Sequence, residues 1–278
     1  VQAVCSYSCQ PIDEEVYRNL RQSAPLAIDA HFCGDYVGVA LSFVGQYVRW
    51  LARTGRPPYF IYPGGPGTLG VLGYVNAAFE IQAQLEAMGA RAPEAVFVAA
   101  GSCGTLAGLL LGARLAGLDA TIVGVRIIEE DVANRAKVAR MVNRAARYLR
   151  RRDPSVPRIE IGAAEVELLD GYLGAGYAHP TEKGRRAVEL VAETENLPLE
   201  TTYTGKAMAA LLDSVERHPG ARVLFVDTFA EAPALEEGDP RALPEQFWPV
   251  FDRDHRVRCW CLRAWRDPSF CWKQGQRI

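Results

Sequence analysis

The chain has 278 residues, 49% hydrophobic and 23% charged, with a formal net charge of −2 from 31 basic and 33 acidic side chains. That leaves room for one large domain or two small ones around a sizeable core, and it excludes a globally disordered polymer and a generally basic nucleic-acid protein. No apolar run approaches the ~20 residues of a membrane span and no secretory leader pattern opens the chain, so a soluble, cytoplasmic protein without a membrane partner is expected.

Short β-rich runs alternate with helical stretches, the pattern of an α/β fold with open, mostly parallel sheets and flanking helices. Strands are expected at Ala3–Ser6, Leu26–Asp29, Tyr59–Tyr62, Ala95–Ala99, Thr121–Val125, Glu165–Leu169 and Val223–Val226. Helices are expected at Asp13–Arg21, Tyr36–Thr54, Leu69–Met88, Thr105–Ala116, Glu130–Arg151, Thr181–Glu193 and Gly205–Glu216. Gly55 and Gly89 follow two of these helices and Pro180-Thr181-Glu182 precedes another, as helix punctuation requires. Val1 is not a start methionine, and residues 2–6 read as a strand entered mid-stream; processing, an engineered boundary or an incomplete gene model would each account for this. A soft boundary falls near Arg53–Pro58, where Thr-Gly-Arg-Pro-Pro links a helix to a strand.

Residues 126–158 hold ten Arg/Lys against four Asp/Glu. Val132, Ala136, Ala139, Val142, Ala146 and Leu149 recur there at helical spacing, which puts the arginines on the opposite, solvated face rather than on nucleic acid. Seven scattered cysteines read as reduced thiols in a reducing compartment. Cys259-x-Cys261, beside His255 and Cys271, is too tight for a zinc chelate, so no metal is expected. Trp248, Trp260, Trp265 and Trp272 crowd the last 31 residues, as a packed terminal hairpin or a subunit contact would.

The chemistry gathers at glycine-rich turns. The strand ending near Ala100 runs into Gly101-Ser-Cys-Gly-Thr-Leu-Ala-Gly108 and then an apolar helix. A strand, a glycine turn and a helix N-terminus form an anion site: backbone N–H groups approach closely, Ser102 and Thr105 add hydroxyls, and the helix dipole favours negative charge. The turn lacks the Lys-Ser/Thr ending of a nucleotide P-loop and is not G-x-G-x-x-G. A phosphate held without magnesium or lysine suits a phosphorylated cofactor, and a tight β–α turn with no ligand is the plain alternative. A second element, Tyr62-Pro-Gly-Gly-Pro-Gly-Thr-Leu-Gly70, also joins a strand to a helix, and two such turns would face one crevice at the strand carboxyl ends. Gly174-Ala-Gly-Tyr177 and Tyr203-Thr-Gly-Lys206 each set a tyrosine beside glycine, where a phenol can exchange protons or hydrogen-bond a carboxylate.

In this order, Pro63-Gly-Gly with Gly73-Tyr-Val-Asn76-Ala-Ala-Phe-Glu80, Gly101–Gly108, Gly174–Tyr177 and Tyr203-Thr-Gly-Lys-Ala-Met208 resemble the pyridoxal-phosphate-dependent D-cysteine desulfhydrase / 1-aminocyclopropane-1-carboxylate deaminase family, from about Asp29 to Thr228. Tyr-Thr-Gly-Lys, rather than Tyr-Glu-Gly-Lys, leans towards the desulfhydrase branch. The resemblance implies a tryptophan-synthase-β-like (fold type II) architecture of two domains. Residues 1–55 would be the remaining part of the small domain and 56–230 the large cofactor-binding domain, followed by a divergent aromatic-rich tail at 231–278. It implies pyridoxal 5'-phosphate as cofactor, a small amino-acid substrate and a homodimer. Gly101, Ser102, Cys103, Gly104 and Thr105 would hold the cofactor phosphate, with the Cys103 thiol turned away. Tyr177 and Tyr203 match the tyrosines that flank the substrate, and Thr228 falls where the family has a residue near the pyridine nitrogen.

Three departures stand beside the match. The family's His-Thr-Gly-Gly turn reads Asp227-Thr-Phe-Ala230 here, and its Ser-Asn after Pro-Gly-Gly is replaced by Pro66-Gly67. Nothing matches the family's Asn-Lys segment with its Schiff-base lysine. The four lysines are Lys137 and Lys183 on polar helix faces, Lys273 in the tail, and Lys206 at a motif position that is not the Schiff base. A lyase or deaminase lacking its N-terminal part, a non-catalytic binding or regulatory relative, and an enzyme of another phosphorylated ligand are the readings this leaves open.

Overall fold

The computed structural model describes residues 4–8, 14–23, 25, 29–34, 36–61, 64–65, 67–229, 238–245 and 247. The chain divides into two compact units, Ile61–Ala230 and Val1–Phe60 with Glu231–Ile278. Ala230, His255, Lys273, the cysteines from Cys259 onward and the four late tryptophans lie outside the described residues.

In the unit that contains the N-terminus, strand β1 (Val4–Ser8) pairs in parallel with β2 (Asp29–Gly34), in register from Val4 opposite Asp29 to Tyr7 opposite Phe32. Parallel neighbours need a crossover, and helix α1 (Glu14–Ser23) lies between them in sequence. Helix α2 (Tyr36–Thr54) packs on both strands and ends where Gly55, at φ +66°, donates its N–H to the Leu51 carbonyl. Of the strand expected at Leu26–Asp29, Asp29 opens β2, and Leu26, Ala27 and Ile28 lie outside the described residues.

The second unit begins with α3 (Thr68–Ala87), followed by β3 (Ala95–Ala100), α4 (Gly104–Ala116), β4 (Thr121–Arg126) and α5 (Arg135–Arg152). It continues with β5 (Glu167–Leu169), α6 (Glu182–Glu195), α7 (Thr204–Arg217) and β6 (Val223–Phe225). The four strands form one parallel sheet in the order β5-β4-β3-β6. Strand side chains alternate between faces. Val96, Val98 and Ala100 of β3 join a core with α3, α4 and α5, while Phe97 joins a second with Val123, Val125 and Ile127 against Ala207, Ala210 and Leu211 of α7. This is the open parallel architecture the alternating pattern implies, with helices on both faces.

Gly108 and Gly112 decide how α4 meets α3. A β-carbon at Gly108 would lie 2.5 Å from the Val71 carbonyl oxygen, and one at Gly112 would lie 2.5 Å from that of Val75. Only glycine permits this approach, so Gly108 serves helix packing rather than the turn before it.

Three expectations need correction. Residues 57–61 form no strand, and Tyr59 and Ile61 are 82% and 73% exposed. The aromatic-aliphatic run has strand propensity, but among the described residues no neighbouring strand pairs with it. Helix α5 starts at Arg135 rather than Glu130, because Asn134 caps it, its side chain accepting the Lys137 N–H at 2.9 Å. Ala139, Val142 and Ala146 of the expected face are buried, together with Val138 and Ala145, whereas Val132, which precedes the helix, and Ala136 in its first turn are exposed. The segment expected as a strand from Glu165 opens instead with a 3-10 turn at Ala163–Glu165, in which the Glu165 carboxylate accepts the Gly162 N–H.

Several α5 arginines are tied to the protein itself: Arg135 donates to the Val166 and Leu168 carbonyls, and Arg150 to that of Val156. Among the described residues no helix is long and apolar enough to cross a membrane.

Candidate functional site

The site lies at the carboxyl end of the parallel sheet, where β3 gives way to Gly101–Cys103 and then α4. The first intrahelical bond runs from the Ala107 N–H to the Cys103 carbonyl, so the N–H groups of Gly104, Thr105 and Leu106 have no partner within the helix. Cys103 caps the helix in the left-handed region at φ 71°, a conformation that turns successive N–H groups into a concave, anion-attracting arrangement. Its side chain is buried in the core and its Sγ faces the Gly101 carbonyl at 3.6 Å. Burial pushes the thiol pKa up, against a smaller opposing effect of Lys137. Cys103 therefore offers this turn its backbone and not a thiolate.

The second glycine turn lies over the first. Ser102 Oγ is 3.4 Å from the Gly64 carbonyl it faces, and a β-carbon at Gly64 would come within 2.7 Å of Ser102 Cβ. Gly64 also has φ +73°, so both space and backbone demand glycine there. The result is a cradle of backbone N–H groups beside the Ser102 hydroxyl, with no side chain filling it from position 64. Its donors fit a phosphate monoester.

Tyr203 and Tyr177 meet beside this cradle. A β-carbon at Gly101 would lie 3.2 Å from Tyr203 Cε1 and 3.3 Å from Ile127 Cδ1. The two phenol oxygens hydrogen-bond each other, and the rings pack edge-to-face with centroids 5.9 Å apart. Both side chains are half-buried. Thr228, also half-buried, follows β6 at the same end of the sheet, in a turn where Asp227 Oδ1 accepts the Phe229 N–H at 2.9 Å.

Four residues that hold this arrangement carried no sequence signal strong enough to single them out for it. Glu200 caps α7: its carboxylate accepts the N–H of Thr202 at 2.6 Å, of Tyr203 at 2.8 Å and of Thr204 at 2.5 Å. An acidic side chain just before a helix was the available hint. Glu129 accepts the Tyr177 N–H at 3.3 Å. Asp213 receives the Tyr172 hydroxyl at 2.9 Å and the Lys183 ammonium at 2.6 Å. Burial, then the hydrogen bond and negative charge of Asp213, push the Tyr172 phenol up to about 12. The Lys183 hydrogen bond holds Asp213 below the usual carboxylate range. Lys206 is 0% exposed and donates to the carbonyls of Leu173 at 2.8 Å and Gly176 at 3.4 Å. Burial lowers its pKa, and the charges of Glu200 and Glu129 oppose that shift.

Comparison with known proteins agrees with this geometry. Residues 29–228 match the family described as "Pyridoxal-phosphate dependent enzyme". The D-cysteine desulfhydrase of Yersinia pestis is 39% identical over 232 residues, which are 81% of this chain and 67% of that protein. The D-cysteine desulfhydrase of Klebsiella pneumoniae is 38% identical over 185 residues, 65% of this chain and 52% of that protein. Among solved structures, an ACC deaminase homologue superposes with a TM-score of 0.67 at 29% identity, covering 82% of this chain and 66% of that one. The chain thus spans between half and about two thirds of the length of these relatives. A parallel α/β fold of the tryptophan-synthase-β type, a glycine cradle at a helix N-terminus and a match over residues 29–228 lead to one conclusion: the chain belongs to the pyridoxal-phosphate-dependent enzyme family.

Proposed function

We propose that Ile61–Ala230 is the cofactor-binding domain of a pyridoxal-phosphate-dependent lyase or deaminase that acts on a small amino acid. The reaction would resemble that of D-cysteine desulfhydrase, which releases pyruvate, ammonia and sulfide, or that of 1-aminocyclopropane-1-carboxylate deaminase. The observation that carries the reading is the packing of Tyr203 on Gly101, which puts a phenol pair directly beside an anion cradle. Gly101, Ser102, Gly104, Thr105 and the Cys103 backbone would hold the phosphate, and Thr228 would lie towards the pyridine nitrogen. The cofactor, when bound, withdraws electrons from the substrate α-carbon.

The chain's own residues supply orientation and protons. The α4 N-terminus neutralises an anion with dipoles already in place, at no cost of reorganisation. Tyr177 and Tyr203 share a hydrogen bond between their oxygens, so one phenol donates while the other oxygen accepts. Such a pair can hold a substrate carboxylate or pass a proton at either oxygen. A cytoplasmic homodimer accompanies this reading.

A second reading, a non-catalytic binding module, is favoured by the three lysines among the described residues. Lys137 Nζ is spent on the Val132 carbonyl, Lys183 on Asp213 and Lys206 on Leu173. We therefore expect residues 1–278 alone to bind pyridoxal phosphate yet to turn over little D-cysteine or 1-aminocyclopropane-1-carboxylate. The test is an absorbance titration with pyridoxal phosphate on the chain and on its Ser102→Ala/Thr105→Val variant, then borohydride reduction and peptide mapping. About tenfold weaker binding by the variant is expected from two lost hydroxyl donors. Unchanged affinity would sink the cradle, and a borohydride-trapped lysine with turnover would remove the binding-module reading.

A further inference from the structure

Lys206 is the one charged side chain among the buried polar residues described, where it stands with Gln22 and Thr204. It lies in the first turn of α7, three residues beyond Tyr203. Its two hydrogen bonds go to carbonyls of the 171–178 loop, not to a carboxylate. That loop carries Tyr177 immediately after Gly176, whose carbonyl is one of the two acceptors.

The rest of the loop is fixed from either side. Tyr172 bonds Asp213 on α7, and the Tyr177 N–H bonds Glu129, which follows β4. Between these anchors, among the described residues, the Lys206 ammonium crosses from α7 to Leu173 and Gly176. A lysine suits the task because its long stem reaches from α7 and its head brings three donors to the Leu173 carbonyl and to that of Gly176, which also accepts the His179 N–H at 3.3 Å. A buried ammonium stripped of its acceptors is costly, so Lys206 and the loop hold each other in place.

We propose that Lys206 is a positioning residue, a buried tether between α7 and the 171–178 loop that sets the Tyr177 phenol against Tyr203. The proposal rests on the reading that these two phenols serve the substrate, but its test does not use substrate or cofactor. On the unaltered chain, NMR of ¹⁵N-labelled lysine reads each ammonium directly. Lys206 protons should exchange with water far more slowly than those of Lys183, which is 65% exposed. Equal exchange at the two lysines overturns the tether without any substitution.

The second measurement is a cycle of Lys206→Met and Tyr177→Phe, read by the ultraviolet titration of the tyrosine phenols. Tyr177→Phe removes the partner of Tyr203 and should shift the Tyr203 titration in the parent chain. In the Lys206→Met background that shift should shrink or vanish, with amide exchange over 174–177 about tenfold faster or more, the scale of one charge-assisted hydrogen bond. Exchange in β3 and β4 should stay as in the parent. An identical Tyr177→Phe shift in both backgrounds overturns the proposal. A Tyr177→Phe shift that vanishes in the Lys206→Met background supports the tether whatever the separate pyridoxal phosphate titration says of the functional reading.

Discussion

The ring of Tyr203 rests on the backbone of Gly101, so that a β-carbon at 101 would sit 3.2 Å from Cε1. One residue belongs to the turn after β3 and the other to the start of α7. Their contact joins the two chemical elements of the site. Gly101→Val should force the ring or Ile127 aside, costing about 1–3 kcal/mol as an overpacked site does. Pyridoxal phosphate binding should weaken in the same variant. Urea denaturation and absorbance titration measure the two effects, and a variant with parental values in both would deny the contact any role.

Gly112 predicts a purely structural loss. Any side chain there meets the Val75 carbonyl and Ala78 Cβ, both close to α3 backbone that cannot swing away. Gly112→Leu should destabilise the chain by more than ~1–3 kcal/mol, the usual range for overpacking, because two helices must separate. The thermal midpoint should fall well below that of the Gly101 variant.

Glu200 makes three backbone N–H contacts at the start of α7. Glu200→Ala should cost about 0.5–2 kcal/mol, as loss of a helix cap does, and should loosen Tyr203 at the same time. Amide exchange at 202–204 should rise, whereas exchange in α4 should not. Equal loosening of both helices would mean that Glu200 acts on global stability rather than on this cap.

The Tyr172–Asp213–Lys183 cluster predicts a pH signature at both extremes. Tyr172 is raised from its ordinary 10.0 to about 12 by burial and by Asp213. A phenol with a raised folded pKa adds stability that is fully present below pH 10 and is lost as pH climbs from 10 towards 12. Asp213 is shifted the other way. Its contribution is present above the ordinary carboxylate value and is lost as pH falls through its lowered folded value. Tyr172→Phe should flatten the alkaline limb of stability against pH, and Lys183→Met should flatten the acid limb. Parental limbs in both variants would show the cluster to be uncoupled from folding.

Residues 29–228 could be assigned to their family from glycines and tyrosines in the right order, since each motif is short and local. Helix α2 was legible to both ends because its apolar spacing and Gly55 act within a turn or two of the chain. The turn from β3 into α4 was legible for the same reason: a strand, glycines and a helix start follow one another directly in sequence. Thr181 likewise announces α6, accepting the Gly184 N–H where a cap should.

What only tertiary structure decided is partnership across long separations. Strand propensity at 59–61 counted for nothing without a neighbour, and the α5 boundary moved once Asn134 took the cap. Gly108 looked like part of a ligand turn and proved to be the seam with α3. Lys206 was legible only as a motif position, and lysines are mostly exposed, yet it is fully buried with the carbonyls at 173 and 176 as its acceptors. Backbone sterics and periodicity act within a few residues and are written in the chain. Which donor finds which acceptor depends on chain closure over about thirty residues or more, and only the folded arrangement determines it.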